Sequence, residues 1–390
     1  MNLLFVKKGA AIYFMLCMFV SLFFTYSGSD QNEFIDFPHV VIRILPLYLD
    51  IFITFVFFVF LLFDKKSKVD IIAFLLFCRF LLHCIPVYYA GMTSHFMMNF
   101  IVSVLCICVY LIHLNYNDSG NFLIDVFKVF FLILCFQIGV ESFISANSFF
   151  DDVYFYKVDM ALPIGSSNSL AAKLVPVFAI LFMVERKNAL KFLLLALAMF
   201  AVALTKSRSG VFGLLFVLII ALSWRGTFSV KEFLKIIFIA LVVISVSSFF
   251  LMNSDIGMLV FSDSDSTLIE RNRLLQNGLD LFWNHPFFGN GFYYFDMADN
   301  PHNWILDILM RSGLAGLALM LIIFAKIWFE VKDFLRDDIV RGCLVALLCM
   351  LWQGLAEIVL FGYIQDILMW SIVGLMIARV GYLKRRVNNL

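Results

Sequence analysis

In a chain of 390 residues that is 63% hydrophobic and only 15% charged, the few polar side chains beside long apolar runs are the ones able to do chemistry. Each is costly to keep there, so each is a candidate for function. The densest group is Thr205-Lys206-Ser207-Arg208-Ser209-Gly210, a very short link between two apolar runs. Its two cations suit an anionic headgroup, although a solvated turn with snorkelling basic side chains accounts for them as well. Farther along, Thr267-x-x-Glu270 has the form of a capping box opening a helix. Leu268, Leu275, Leu279 and Phe282 then recur at helical spacing, as in a helix lying on a membrane. Arg271 shares that apolar face, while Arg273 points with Gln276 and Asp280 towards water. An arginine aimed at the bilayer interface needs an anion, and a lipid diphosphate or a phospholipid headgroup would serve. Asn300-Pro301-His302-Asn303 opens another apolar run. There His302 could exchange protons with water, and its ordinary pKa suits a general base; a capping or hydrogen-bonding histidine is the plain alternative. Glu357, within one turn of the same side on a later run, is a second candidate acid or base.

Other polar residues read as structural. Asn303, Asp307 and Arg311 fall at i, i+4 and i+8. In a straight helix Arg311 lies about 14 Å beyond His302, near mid-membrane, where pairing with Asp307 is its expected role. Arg79 and His83, four apart on an earlier run, also read as structural. The Pro286–Gly291 stretch is turn chemistry, and a lone G-x-G without a preceding strand is a weak nucleotide signal. The eight cysteines all fall in apolar runs without a C-x-x-C pair, which supports neither a zinc site nor a disulfide framework. No basic block is present to bind nucleic acid.

The elements that must position these residues follow from the solvent. A bilayer core of about 30 Å needs about 20 mostly apolar residues in a helix. Such runs occupy Ala10–Tyr26, Val41–Phe63, Val69–Tyr89, Phe96–Leu114, Phe122–Glu141 and Asn168–Val184. Six more lie at Ala189–Leu204, Ser209–Trp224, Glu232–Met252, His302–Trp328, Ile339–Leu360 and Gly362–Gly381. The sequence therefore predicts an all-α polytopic membrane protein with about 12 transmembrane helices. A large outer loop, 253–301, carries the amphipathic helix between the ninth and tenth spans. A cytosolic enzyme, a disordered chain and a small secreted scaffold are excluded. The first run, after Lys7 and Lys8, lacks a small-residue cleavage site and reads as an uncleaved anchor. Most Lys and Arg fall on the side of the N-terminus. Arg43, Lys157, Lys173, Lys206, Arg208, Arg271 and Arg273 fall opposite, so both termini are expected in the cytoplasm. Two regions are expected: an N-terminal membrane bundle over 1–164 and a second membrane domain over 165–390.

Several motifs in the second region resemble the O-antigen ligase and polymerase family of bacterial envelope glycosyltransferases. They are Ser167-Asn168-x-x-Ala171, T-x-x-R at Thr205–Arg208, R-x6-G-L at Arg271–Leu279, P-x-x-G-x-G at Pro286–Gly291 and H-N-x-x-L-x8-G-x-x-G at His302–Gly316. The resemblance implies an inner-membrane transferase that works at the periplasmic face. It takes glycan from undecaprenyl diphosphate and passes it to a hydroxyl, with no cofactor, metal or nucleotide sugar. On that likeness Arg208, Arg271 and Lys206 bind the diphosphate, His302 or Glu357 deprotonates the acceptor, and Asn303 orients the site. The implied partners are the lipid-linked oligosaccharide, membrane lipid, a flippase and a chain-length regulator, and no nucleic acid. Polymerase and ligase differ in acceptor, and the two moderately long outer loops favour the polymerase. A transporter or flippase would show midplane charge, paired broken helices and similar halves. Here polar residues gather at one face instead, and the midplane offers only Arg79, Lys128 and Arg311.

Overall fold

The computed structural model describes residues 56, 59, 68–86, 88, 94–115, 121–144, 167–223, 264–291, 301–355 and 363–388. The runs Ala10–Tyr26 and Glu232–Met252, nearly all of Val41–Phe63, and Glu357 lie outside them. The described residues form ten α-helices and no strand: α1 (Ile71–Cys84), α2 (Ser94–Leu114), α3 (Asn121–Ile144), α4 (Ser167–Val184), α5 (Asn188–Leu204), α6 (Arg208–Ser223), α7 (Ser264–Asn284), α8 (Trp304–Val331), α9 (Asp338–Gln353) and α10 (Tyr363–Asn388). A short 3-10 turn, Lys332–Phe334, joins α8 to α9.

Apolar runs become helices because, away from water, every backbone polar group must be satisfied within its own segment. Polar side chains mark the starts. Asp70 accepts from Ala73 N at 2.9 Å to open α1, and Asp337 accepts from Ile339 N and Val340 N to open α9. Helix α4 lies at the centre, packed by α3, α5, α6 and α9. Its interior is closed on every side, with Leu170, Ala171, Ala172 and Phe178 among the residues that have no exposure at all. Helix α9 packs on α4, α6 and α10, while α10 also meets α2 and α8, and α1 meets α2 and α8. The N-terminal helices α1 and α2 are thus packed directly onto helices of the second region.

Helix limits mostly follow the apolar runs, although α9 ends at Gln353 rather than Leu360 and α10 runs past Gly381 to Asn388. The expected span His302–Trp328 is not a single rod. Helix α8 breaks at Gly313, whose φ of 63° and ψ of −162° are not helical. The ring centroids of Trp304 and Phe324 stand 6.0 Å apart, whereas twenty helical residues would separate them by about 30 Å. The chain therefore doubles back at Gly313, and segment 304–312 folds against segment 314–331.

By length and composition two helical stretches among the described residues are long and apolar enough to cross a membrane, Trp304–Phe334 and Asp366–Val387. The break leaves 314–331 as the longer straight part of the first, about 27 Å long.

Candidate functional site

The break in α8 is built by the Pro286–Gly291 turn. A broken helix leaves carbonyls bare on one side and N–H groups bare on the other, and the turn supplies both. Asn290 N donates to Met310 O at 2.7 Å and Gly291 N to Arg311 O at 2.8 Å. In return Leu314 N donates to Pro286 O and Ala315 N to Phe287 O. The Asn290 carboxamide adds bonds to Leu281 O and Met310 O. Gly289 and Gly291 take positive φ angles of 69° and 68°, and a Cβ on Gly289 would fall on the Arg311–Ser312 peptide. The glycine spacing serves this docking.

Helix α7 runs beside segment 304–312 in the same direction. A Cβ on Gly278 would stand 2.9 Å from Leu306 Cδ2 and 3.0 Å from Met310 Sδ. Its buried stripe is Leu274, Gly278 and Phe282, while Leu279 is exposed. The expected face of Leu268, Leu275, Leu279 and Phe282 is therefore corrected by part of a turn, because a small residue rather than a leucine makes the closest approach to α8. Arg271 lies on α7 two turns before Gly278, which by register brings its backbone towards the head of α8.

That head is fixed from several sides. Asn303 is the N-cap of α8, its side-chain oxygen accepting from Ile305 N and Leu306 N and its amide donating to Leu355 O at 3.3 Å. Trp304 N donates to Gly354 O at 2.8 Å. His302, just before the cap, has a positive φ of 49° and is half-buried.

The Thr205–Gly210 turn reaches the same end of α9. Gln353 Nε2 donates to Ser209 O at 3.3 Å, and Cys349 Sγ lies 3.7 Å from Gly213 O. Lys206 takes a positive φ of 47°. Thr205, Ser207 and Ser209 are buried, whereas Arg208, the first residue of α6, is exposed. Thr205 Oγ1 donates to Val202 O, and the Ser207 and Ser209 hydroxyls share a hydrogen bond. The hydroxyls thus bond within the turn and to the last turn of α5. Gly210 admits α4 so closely that a Cβ there would stand 2.7 Å from Ala171 Cβ, which joins the Ser167–Ala171 motif to the Thr205–Arg208 motif.

The end of α9, Gln353–Gly354, therefore ties the turn bearing Lys206 and Arg208 to the segment bearing His302 and Asn303. No sequence signal pointed to Gln353: an amide in an apolar run is ordinary until its partners are known.

Some expectations change. Asp307 and Arg311 do pair, Nε to Oδ1 at 2.9 Å and both nearly fully buried. Their depth cannot be counted down a straight helix, because α8 turns back two residues later. Lys173, expected in an outer loop, is fully buried inside α4. Lys128 lies within α3 as expected and pairs there with Asp125 at 3.0 Å. Two features that a transporter would show, a broken helix and buried charge, are also present in α8.

Among the described residues, the fold and site define an all-helical structure with apolar helices and a folded-back helix held at a polar end. Residues 192–321 match the family described as O-antigen ligase, the family that the motifs resemble. The match covers Lys206, Arg208, Arg271, His302 and Asn303 and excludes Glu357. No curated protein matches the chain.

Proposed function

We propose that this protein is a membrane glycosyltransferase of the O-antigen polymerase type. It transfers glycan from undecaprenyl diphosphate to a hydroxyl of another lipid-linked repeat unit at the periplasmic face of the inner membrane. The observation that carries this reading is the tie through Gln353 and Gly354 between the cationic turn and the histidine-bearing head of α8.

In the proposed reaction His302 takes the proton of the acceptor hydroxyl, and its oxygen attacks the anomeric carbon with inversion. The bond from that carbon to the diphosphate breaks, and the leaving phosphate keeps the electron pair. Arg208, Lys206 and Arg271 bind the donor phosphates and stabilise the charge that grows on them. Fixed cations suit this role because they need not reorganise as the charge develops. Asn303 orients the site by capping α8, and Glu357 is the second candidate base. The same machinery would serve a ligase that delivers the glycan to lipid A-core, and only the acceptor differs.

A deletion strain examined by glycan gel tests the reading. Single-repeat caps on lipid A-core are expected for loss of an O-antigen polymerase. Bare core with accumulated lipid-linked polymer would make the protein a ligase, and capsule loss with intact lipopolysaccharide would make it a capsular polymerase. An unchanged glycan profile would overturn the assignment.

A further inference from the structure

Five ionisable side chains outside the proposed reaction are buried together: Arg79 and His83 on α1, Asp307 and Arg311 on segment 304–312, and Asp366 on α10. Arg79 acts electrostatically on His83, Asp307 and Arg311, and Asp366 acts on Arg311. The helices that carry them pack directly, α1 on α8 and α8 on α10. Pro86, just after α1, also abuts Gly291 of the turn that fills the break. Burying a lone ion pair returns little, because desolvation offsets attraction. A cluster drawn from three helices does something else: it fixes where segment 304–312 lies against its neighbours.

The link to the site is short. Asp307 N donates to Asn303 O at 2.9 Å, and Asn303 directly follows His302. We propose that Arg79 and Asp307 are positioning residues that hold the head of α8, and through it His302, in the geometry that transfer requires. The proposal rests on His302 being the base. It places a determinant of activity on α1, outside the matched residues 192–321.

The test uses the full chain in lipid nanodiscs with a lipid-linked oligosaccharide as donor and acceptor. Arg79→Gln and Asp307→Asn are each expected to lower kcat by about tenfold or more with donor KM little changed, since misplacing a reacting group by about 1 Å costs up to a hundredfold. Arg79→Lys should recover much of the rate. The double variant should lose no more than the worse single, because coupled residues are not additive. Deuterium exchange of amides 302–312 should quicken in both single variants. Unchanged kcat and exchange, additive losses, or a lower Tm with normal kcat would overturn the proposal. Should Arg79→Gln fail to fold, Arg79→Lys and Asp307→Asn decide by the same readouts. Faster exchange in a protein whose wild type transfers no glycan would uphold the positioning and remove the proposed function instead.

Discussion

Arg208 and His302 divide the proposed work between charge and proton. Arg208→Ala should lower kcat by about a hundredfold or more, the scale on which removal of one preorganised stabilising group is felt. His302→Ala should do the same, with transfer of labelled lipid-linked glycan as the measurement and membrane insertion unchanged. Asn303 is separable from both. Its oxygen caps α8 while its amide reaches Leu355 O, so Asn303→Ala should cost about 1 kcal/mol of stability. Asn303→Asp should keep the cap and lose only the second bond, a difference that Tm resolves. These residues were legible because polar side chains stand out in an apolar chain. Gln353 and Asp366 were not, because what distinguishes them is the company that folding gives them. Arg79 and His83 could be read only as a pair on one helix until α8 and α10 supplied the other charges.

Helix limits were legible in the same way, since apolar runs of fixed length ended where polar residues began. The break at Gly313 was not. Its glycine directly follows Arg311 and Ser312 in a run that still reads as one span, and the reason for the break is the Pro286–Gly291 turn, which lies well before it in sequence. Gly313→Ala should therefore be severely disruptive. A Cβ there would fall on the Phe287 carbonyl, and the left-handed backbone alone costs about 1–3 kcal/mol for a side chain. Gly381→Ala is the control: nothing lies within 4 Å of its Cβ position, and a helical alanine should stabilise by about 0.5–1 kcal/mol. Thermal unfolding in detergent should separate the two variants in opposite directions.

Across the whole molecule, the division at residue 164 marks a change in motif density more than a change in packing. Helices α1 and α2 pack on α8 and α10, so a chain beginning at 165 should not retain the fold. Size-exclusion behaviour of that fragment, expressed alone and together with 1–164, checks this. The end of the bundle opposite Gln353 is fastened by ion pairs. Arg379 grips Asp337 with bonds of 2.7 to 3.2 Å, and Asp337 also caps α9. Asp337→Ala thus removes a cap and a half-buried ion pair together, and should lower Tm more than Lys384→Ala, whose partner Glu330 keeps Lys326.

The folded-back α8 also bears on how the chain is made. Segments 304–312 and 314–331 together would form a rod of about 42 Å, too long for a bilayer core of about 30 Å. The residues that bond to both sides of the break, 286–291, leave the ribosome before Gly313 does. The partners for the fold are therefore already synthesised when the apolar segment emerges, and the hairpin can form from contacts fewer than thirty residues apart. A helix that hydropathy would pass to the membrane as one piece is divided by a sequence that precedes it.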